Sequence, residues 1–126
     1  MILGVGHDLV HVPRLARLLQ RWDQRFLDRV FSPAEQAYCR KFHDPAPSFA
    51  ARFAAKEAFY KALSCGRSLP LWFRDAEVVH EVGAALRLEI SPRAQELADA
   101  AGVRHMHLSL THDGVYASAI VVLESA

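Results

Sequence analysis

The C-terminal stretch Val103-Arg-His-Met-His-Leu-Ser-Leu-Thr111, His112-Asp-Gly114, Val115-Tyr-Ala-Ser-Ala-Ile-Val-Val-Leu-Glu124 decides the fold. Two apolar-rich runs flank a turn signal at His112-Asp113-Gly114, which predicts two final strands joined there. Working back, Ala76–His80 and Leu86–Ile90 predict a shorter pair of strands around a turn at Gly83. Between the pairs, Ser91-Pro92 opens a helix that runs through Glu96 and Leu97 to Ala101 and is closed by Gly102. Further upstream the pattern turns helical. Leu15, Leu18, Leu19 and Trp22 mark the apolar face of a helix begun at Pro13. Phe31-Ser32-Pro33-Ala34-Glu35 is a capping-box signature, and His43–Ser48 breaks the helix it starts. An alanine-rich helix then spans Phe49–Leu63 and ends near Gly66. Met1–Val5 predicts a short buried strand ending at Gly6, which leaves Asp8 at or just past a strand end. Helices gather early and strands late. The expected fold is therefore α+β, with helices packed on a mainly antiparallel sheet, and residues 1–126 are read as one domain without repeat or linker.

With 126 residues, 52% hydrophobic and 23% charged, the chain has the composition of an ordinary globular domain. A formal net charge of +1 argues against a polyanionic partner held by bulk charge. Local patches are another matter, since 12 of the 15 cationic residues are arginines. Cys39 and Cys65 lack C-x-x-C spacing and read as free thiols in a reducing compartment, which points to the cytoplasm. The opening MILGVGHDLVHVPR lacks the basic lead-in of a secretion signal, and the apolar stretch Tyr116–Leu123 is too short to span a bilayer. No membrane association is expected.

The chemistry concentrates in Arg52-Phe-Ala-Ala-Lys56-Glu57-Ala-Phe-Tyr-Lys61. On a helix, Phe49, Phe53, Lys56 and Tyr60 share one side, while Glu57 and Lys61 stand one turn apart. Alanines 50, 54 and 58 leave room for something to approach closely. One carboxylate beside several cations suits a Mg²⁺–phosphate substrate, with metal on the carboxylate and phosphate oxygens on the cations. Asp8 is a candidate for the second carboxylate. The plainer alternative is a Glu–Lys pair that merely stabilises its own helix by a few tenths of a kcal/mol.

Five stretches, in order, settle that choice. Gly4-Val-Gly-His-Asp8-Leu-Val-His-Val-Pro-Arg14 resembles the opening G-x-G-x-D-x-x-x-x-x-R of the holo-acyl-carrier-protein synthases, the short 4′-phosphopantetheinyl transferases. Phe31-Ser-Pro-Ala-Glu35-Gln-Ala-Tyr38-Cys39 is similar to that family's L-[ST]-x-x-E-x-x-Y-C segment, and Arg52 to Ala62 to its R-[FW]-A-x-K-E-A-x-x-K-A core. Trp72-Phe-Arg-Asp75-Ala-Glu77-Val and His107-Leu-Ser109-Leu-Thr111-His112 resemble its W-x-D-I-E-V and H-x-S-[LI]-[ST]-H signatures. The resemblance implies that Asp8 and Glu57 hold Mg²⁺ on the pyrophosphate of coenzyme A, with Asp8, Glu57 and Lys61 as the catalytic set. The serine of an apo acyl carrier protein would attack the β-phosphorus and release adenosine 3′,5′-bisphosphate. Arg52, Lys56, Lys61, Thr111 and His112 become the expected coenzyme A contacts. The serine proton would go to Glu57, to a metal-bound water or to Asp113. Short members of the family are homotrimers with the coenzyme A site between subunits, and the same is expected here.

Three departures accompany the match. His7 and His11 replace an aliphatic and an acidic residue around Asp8, which predicts an altered pH response near the metal. Gly66-Arg-Ser-Leu-Pro-Leu carries fewer glycines than the family's loop, and Gly83-Ala84-Ala85 lacks a proline usual there. Seven histidines raise the question of zinc, but His7, His11, His105, His107 and His112 are not joined by a cysteine at ligand spacing, so no zinc site is expected.

Arg14, Arg17, Arg21 and Arg25 recur at helical spacing and make a basic stripe on the first helix. Carrier proteins are acidic, so Arg14, Leu18 and Arg21 are expected to dock the carrier. Rival readings are a Mg²⁺-dependent coenzyme A or nucleotide pyrophosphatase, and a non-catalytic carrier-binding module. Nucleic acid is disfavoured by the low net charge and the lack of aromatics along the stripe.

Overall fold

The computed structural model describes residues 1–126. It opens with β1 (Ile2–His11), then α1 (Val12–Arg21), α2 (Gln24–Val30), α3 (Pro33–Cys39) and the long α4 (Ala46–Ser64). A short 3-10 turn at Phe73–Asp75 leads into β2 (Ala76–Val79) and β3 (Arg87–Ile90), followed by α5 (Pro92–Ala100), β4 (His105–Asp113) and β5 (Tyr116–Glu124). The strands form one sheet in the order β1-β5-β4 and a separate β2-β3 pair, all antiparallel. This is the α+β architecture expected.

Local chemistry accounts for the boundaries. Pro13 lies in the first turn of α1, where its missing N–H has no partner to lose. Trp22 then turns extended, and Asp23 caps a new helix by accepting from the Phe26 amide at 2.8 Å. Arg25 therefore stands on α2, and the arginine stripe bends across two helices instead of running along one. Ser32 and Glu35 form the reciprocal capping box, with bonds of 3.1 and 2.9 Å. Helix α4 starts at Ala46 and ends at Cys65, which adopts φ 48° ahead of Gly66 at φ 84°.

Helix α4 organises two hydrophobic clusters. Its first half packs with α1, α2 and α3, where Phe31 and Phe49 meet edge to face at 4.9 Å. Its second half packs with α5 and both sheets. Ala117, Ala119, Val121 and Leu123 of central β5 point to this core. The opposite face of the three-stranded sheet is uncovered, and Val5, Leu9 and Ile120 are 60%, 61% and 44% exposed there.

Strand β1 is longer than expected. It stays paired with β5 as far as His11 opposite Tyr116, so Asp8 lies inside the strand, opposite Ala119. A polar residue is tolerated there because its neighbours on α4 are polar too.

Candidate active site

Small residues set the geometry of the site. Past an irregularity between Ile2 and Gly4, alternate residues of β1 face α4, and the first two such positions are glycine. A Cβ on Gly4 would fall 2.1 Å from the Ala62 carbonyl oxygen, and one on Gly6 1.7 Å from that of Ala58. Strand and helix thus touch backbone to backbone, which glycine alone permits. This explains the alanine at position 58: what approaches the helix is β1 itself. The next residue of the same parity is Asp8.

Lys61 Nζ donates to Asp8 Oδ1 at 2.9 Å and to the His7 carbonyl at 3.3 Å. Glu57 stands one helical turn before Lys61, half-buried. Burial, followed by the negative charge of Asp8, raises the Glu57 pKa, with Lys61 pulling the other way. The Lys61 side chain is 52% exposed against 17% for Asp8, so the cluster opens to solvent on the lysine side. Beside Glu57 runs a groove of about 280 Å³ lined by Tyr60, Leu71, Trp72 and Phe73. The Tyr60 hydroxyl accepts from the Leu69 amide at 2.9 Å and so pins the glycine-poor loop to α4.

The donor chemistry fits Mg²⁺. Two carboxylates repel one another, and no third His, Cys, Asp or Glu joins them. Oxygen-only donors select hard cations, and Mg²⁺ takes one or two protein carboxylates while water and substrate phosphates fill its remaining positions.

A second cluster lies elsewhere on α4. Arg52, Thr111 and His112 line a cleft of about 320 Å³ together with Tyr38 and Ser48. The Arg52 guanidinium lies 4.2 Å over the Tyr38 ring and donates to the Ser48 carbonyl at 3.4 Å. Its Nε–H is buried with no acceptor. A buried unpaired donor on a cation invites an anionic oxygen.

At about 100° per residue, Arg52 and Lys61 leave α4 about 180° apart. The sheet repeats the separation: Asp8 is on edge strand β1 and His112 on edge strand β4, with β5 between. One chain therefore carries two polar clusters that face apart. Asp113 is exposed beside the Gly114-Val115 turn, three residues along and two strands across from Asp8. Ideal sheet spacing makes that about 14 Å, so within one chain Glu57, not Asp113, stands beside Asp8.

Two expectations are corrected. Lys56 turns its amine inward, onto protein acceptors, where a phosphate ligand was expected. It is 3% exposed and uses its three N–H donors on Glu35 Oε1 at 2.8 Å, the Phe73 carbonyl at 3.2 Å and the Ala76 carbonyl at 2.6 Å. Burial lowers its pKa, opposed by the Glu35 charge. Lys56 is an internal strut joining α4 to α3 and β2. His7 follows the alternation of a strand and points away from Asp8, meeting Ser118 Oγ at 2.8 Å on the uncovered face. It does not tune the carboxylates by contact.

Arg14 and Arg21 are exposed on α1 with Leu18 half-buried between them. His107 pairs with Glu124 at 2.9 Å. Tyr38, Tyr60 and Trp72 were missing from the sequence reading of the site. All three had a signal: Tyr38 falls in the E-x-x-Y-C segment, Tyr60 in the core that runs from Arg52 to Ala62, and Trp72 opens the W-x-D-I-E-V stretch.

The chain is similar to known proteins along nearly its whole length. The chain is 47% identical over 130 residues to the holo-[acyl-carrier-protein] synthase of Anaeromyxobacter dehalogenans strain 2CP-C, covering 100% of this chain and 98% of that one. It is 42% identical over 124 residues to the protein of the same name from Syntrophus aciditrophicus, covering 98% and 97%. Among solved structures, the Neisseria meningitidis holo-[acyl-carrier-protein] synthase superposes with a TM-score of 0.85 at 30% identity, over 99% of this chain and 100% of that one. The Helicobacter pylori enzyme in complex with coenzyme A gives 0.80 at 32% identity, over 95% and 99%. With residues 4–121 matching the family as a whole, the chain belongs to the 4′-phosphopantetheinyl transferase superfamily.

Proposed function

We propose that this chain is a Mg²⁺-dependent holo-acyl-carrier-protein synthase, with residues 1–126 as one transferase domain. It moves 4′-phosphopantetheine from coenzyme A to a serine of apo acyl carrier protein and releases adenosine 3′,5′-bisphosphate. The observation that carries this reading is the cluster of Asp8, Glu57 and Lys61, assembled where β1 lies on α4. The name shared by its relatives supports the choice of substrates.

Asp8 and Glu57 would hold the metal, which when bound neutralises charge on the pyrophosphate. Lys61 Nζ, anchored on Asp8, is free on its exposed side to hold a phosphate oxygen as charge develops there. Glu57 accepts the serine proton directly or through a water on its carboxylate. Arg52, Thr111 and His112 take the nucleotide end of coenzyme A, with the Arg52 guanidinium as the cation for a phosphate. Arg14, Leu18 and Arg21 dock the carrier.

The half-sites of a single chain face apart, so the Arg52 cleft of one copy closes on the Asp8 cluster of the next. Such a head-to-tail contact closes into a ring, and a homotrimer is the form we assign. The uncovered sheet face, with Val5, Leu9 and Ile120, supplies apolar surface for it. No helix is long and apolar enough to cross a membrane. Both cysteines are free, in keeping with the cytoplasm.

The test is to incubate the protein with coenzyme A, Mg²⁺ and apo acyl carrier protein and weigh the carrier by mass spectrometry. A gain of one phosphopantetheine supports the reading. Cleavage of coenzyme A without that gain supports the pyrophosphatase instead.

A further inference from the structure

Apart from the two half-sites, the most distinctive surface is a cleft around Trp72. The indole is 73% exposed and lines two hollows at once. One is the groove beside Glu57. The other is a cleft of about 460 Å³ lined by Asp28, Arg29, Arg74 and Arg93. Arg29 also lines a third hollow, with Arg21, Trp22, Asp23, Arg25 and Phe26. Surface leads without interruption from the carboxylate groove, across Trp72, along five arginines to the end of α1.

Five arginines here face Asp28, Asp23 and the Asp75 paired with Arg93, a local excess of two positive charges against +1 for the whole chain. Asp28 is the acid of the cleft, but its carboxylate accepts from Gln24 at 2.7 Å and Gln36 at 2.8 Å. Arg74 is held by the Asp28 carbonyl at 2.6 Å, and Arg93 by Asp75 at 2.9 and 2.7 Å. Arg29 has no such partner and is exposed. Guanidiniums tied down in a row do not converge on one small anion. They present a fixed basic strip, and an exposed indole in it supplies the apolar anchor that protein interfaces favour.

We propose that Arg29, Arg74, Arg93 and Trp72 form a second docking surface for the acidic carrier protein, beyond the arginines of α1, ending at the groove beside Glu57. The proposal rests on the transferase reading above. Its occupant follows from charge complementarity and from continuity with Arg21 and Arg25 through Arg29. Trp72 stands where the carrier must bring its serine.

The test compares the wild type with Arg29→Glu, the milder Arg29→Gln, and Trp72→Ala. All three replace exposed side chains, and far-UV circular dichroism confirms folding. For Arg29→Glu the expected result is about a tenfold rise in KM for apo carrier protein, with Arg29→Gln smaller in the same direction. The KM for coenzyme A stays within about twofold, and log kcat/KM falls less steeply with log salt than in the wild type. Trp72→Ala also raises the carrier KM, with a salt slope like the wild type. If the wild type transfers normally and the variants keep its carrier KM, the docking surface is wrong while the transferase reading stands. A rise in KM for coenzyme A alone overturns it too, by giving the cleft to the nucleotide. Failure of the wild type to modify any carrier overturns both.

Discussion

Arg52 and Lys61 project from opposite sides of α4, nine residues apart on one helix, yet both are assigned to a single coenzyme A molecule. The conflict disappears if each substrate lies between two copies. Glu57→Gln damages one half-site and His112→Ala the other, so each variant alone should be nearly inactive. Mixed in equal amounts under conditions that allow subunit exchange, about one site in four in a ring of three becomes wild type in both halves. Activity should return to about a quarter of the wild-type value. A mixture no more active than its components contradicts the composite site.

Gly6 makes the most demanding contact in the fold. Gly6→Ala places a methyl group 1.7 Å from the Ala58 carbonyl oxygen, so β1 must move off α4. Overpacking of this kind costs about 1–3 kcal/mol and occasionally more. The same displacement draws Asp8 away from Lys61. The urea midpoint should fall, and the protein that remains folded should have lost most transfer activity. An active, equally stable Gly6→Ala would show that the strand–helix contact does not position the site.

Lys56 tests the correction made to its role. Lys56→Met leaves Glu35 without its buried counter-charge and two carbonyls without a donor. Removing one member of a buried pair costs about 3–5 kcal/mol. Urea unfolding should show that loss, while the folded fraction binds coenzyme A within about twofold of the wild type. A strong loss of coenzyme A affinity at unchanged stability would restore Lys56 as a phosphate ligand.

Asp75 ties the turn after Trp72 to α5. Burial opposes its ionisation, but hydrogen bonds from Arg93, Ser91 and the Trp72 amide outweigh it and hold its pKa at about 2, against an ordinary 3.8. A folded-state pKa below the unfolded one contributes stability that is present above the unfolded value. It is lost as pH falls through the folded value. The contribution is about 2 kcal/mol at neutral pH and should fade between about pH 4 and pH 2. Denaturation across that range should show the gap between wild type and Asp75→Asn narrowing. A gap that stays constant would contradict the assignment.

Much of this was legible in the sequence where local chemistry decides structure. Ser32 and Glu35 cap a helix through bonds three residues apart, and Pro13 and Pro92 begin helices for reasons internal to one turn. Asp8, Glu57 and Lys61 were legible as a set only through ordered motifs, because residues 8 and 57 meet by way of two glycines whose role is tertiary. Helix α2 was not legible, since arginines at regular spacing ran on through the break at Trp22-Asp23. Lys56 misled for a physical reason: its helix position is visible, but the carboxylate it serves arrives from α3, 21 residues away. The opposition of Arg52 and Lys61 was available from helical geometry alone.

The identity of the nucleophile is the centre of the proposal, and one measurement addresses it. Turnover of coenzyme A is run with apo acyl carrier protein and Mg²⁺ in ¹⁸O-labelled water, and all products are weighed. The prediction is a carrier heavier by one unlabelled phosphopantetheine on serine, with equimolar unlabelled adenosine 3′,5′-bisphosphate. Free phosphopantetheine carrying one ¹⁸O, with the carrier unmodified, would show water attacking in place of serine and would contradict the transferase.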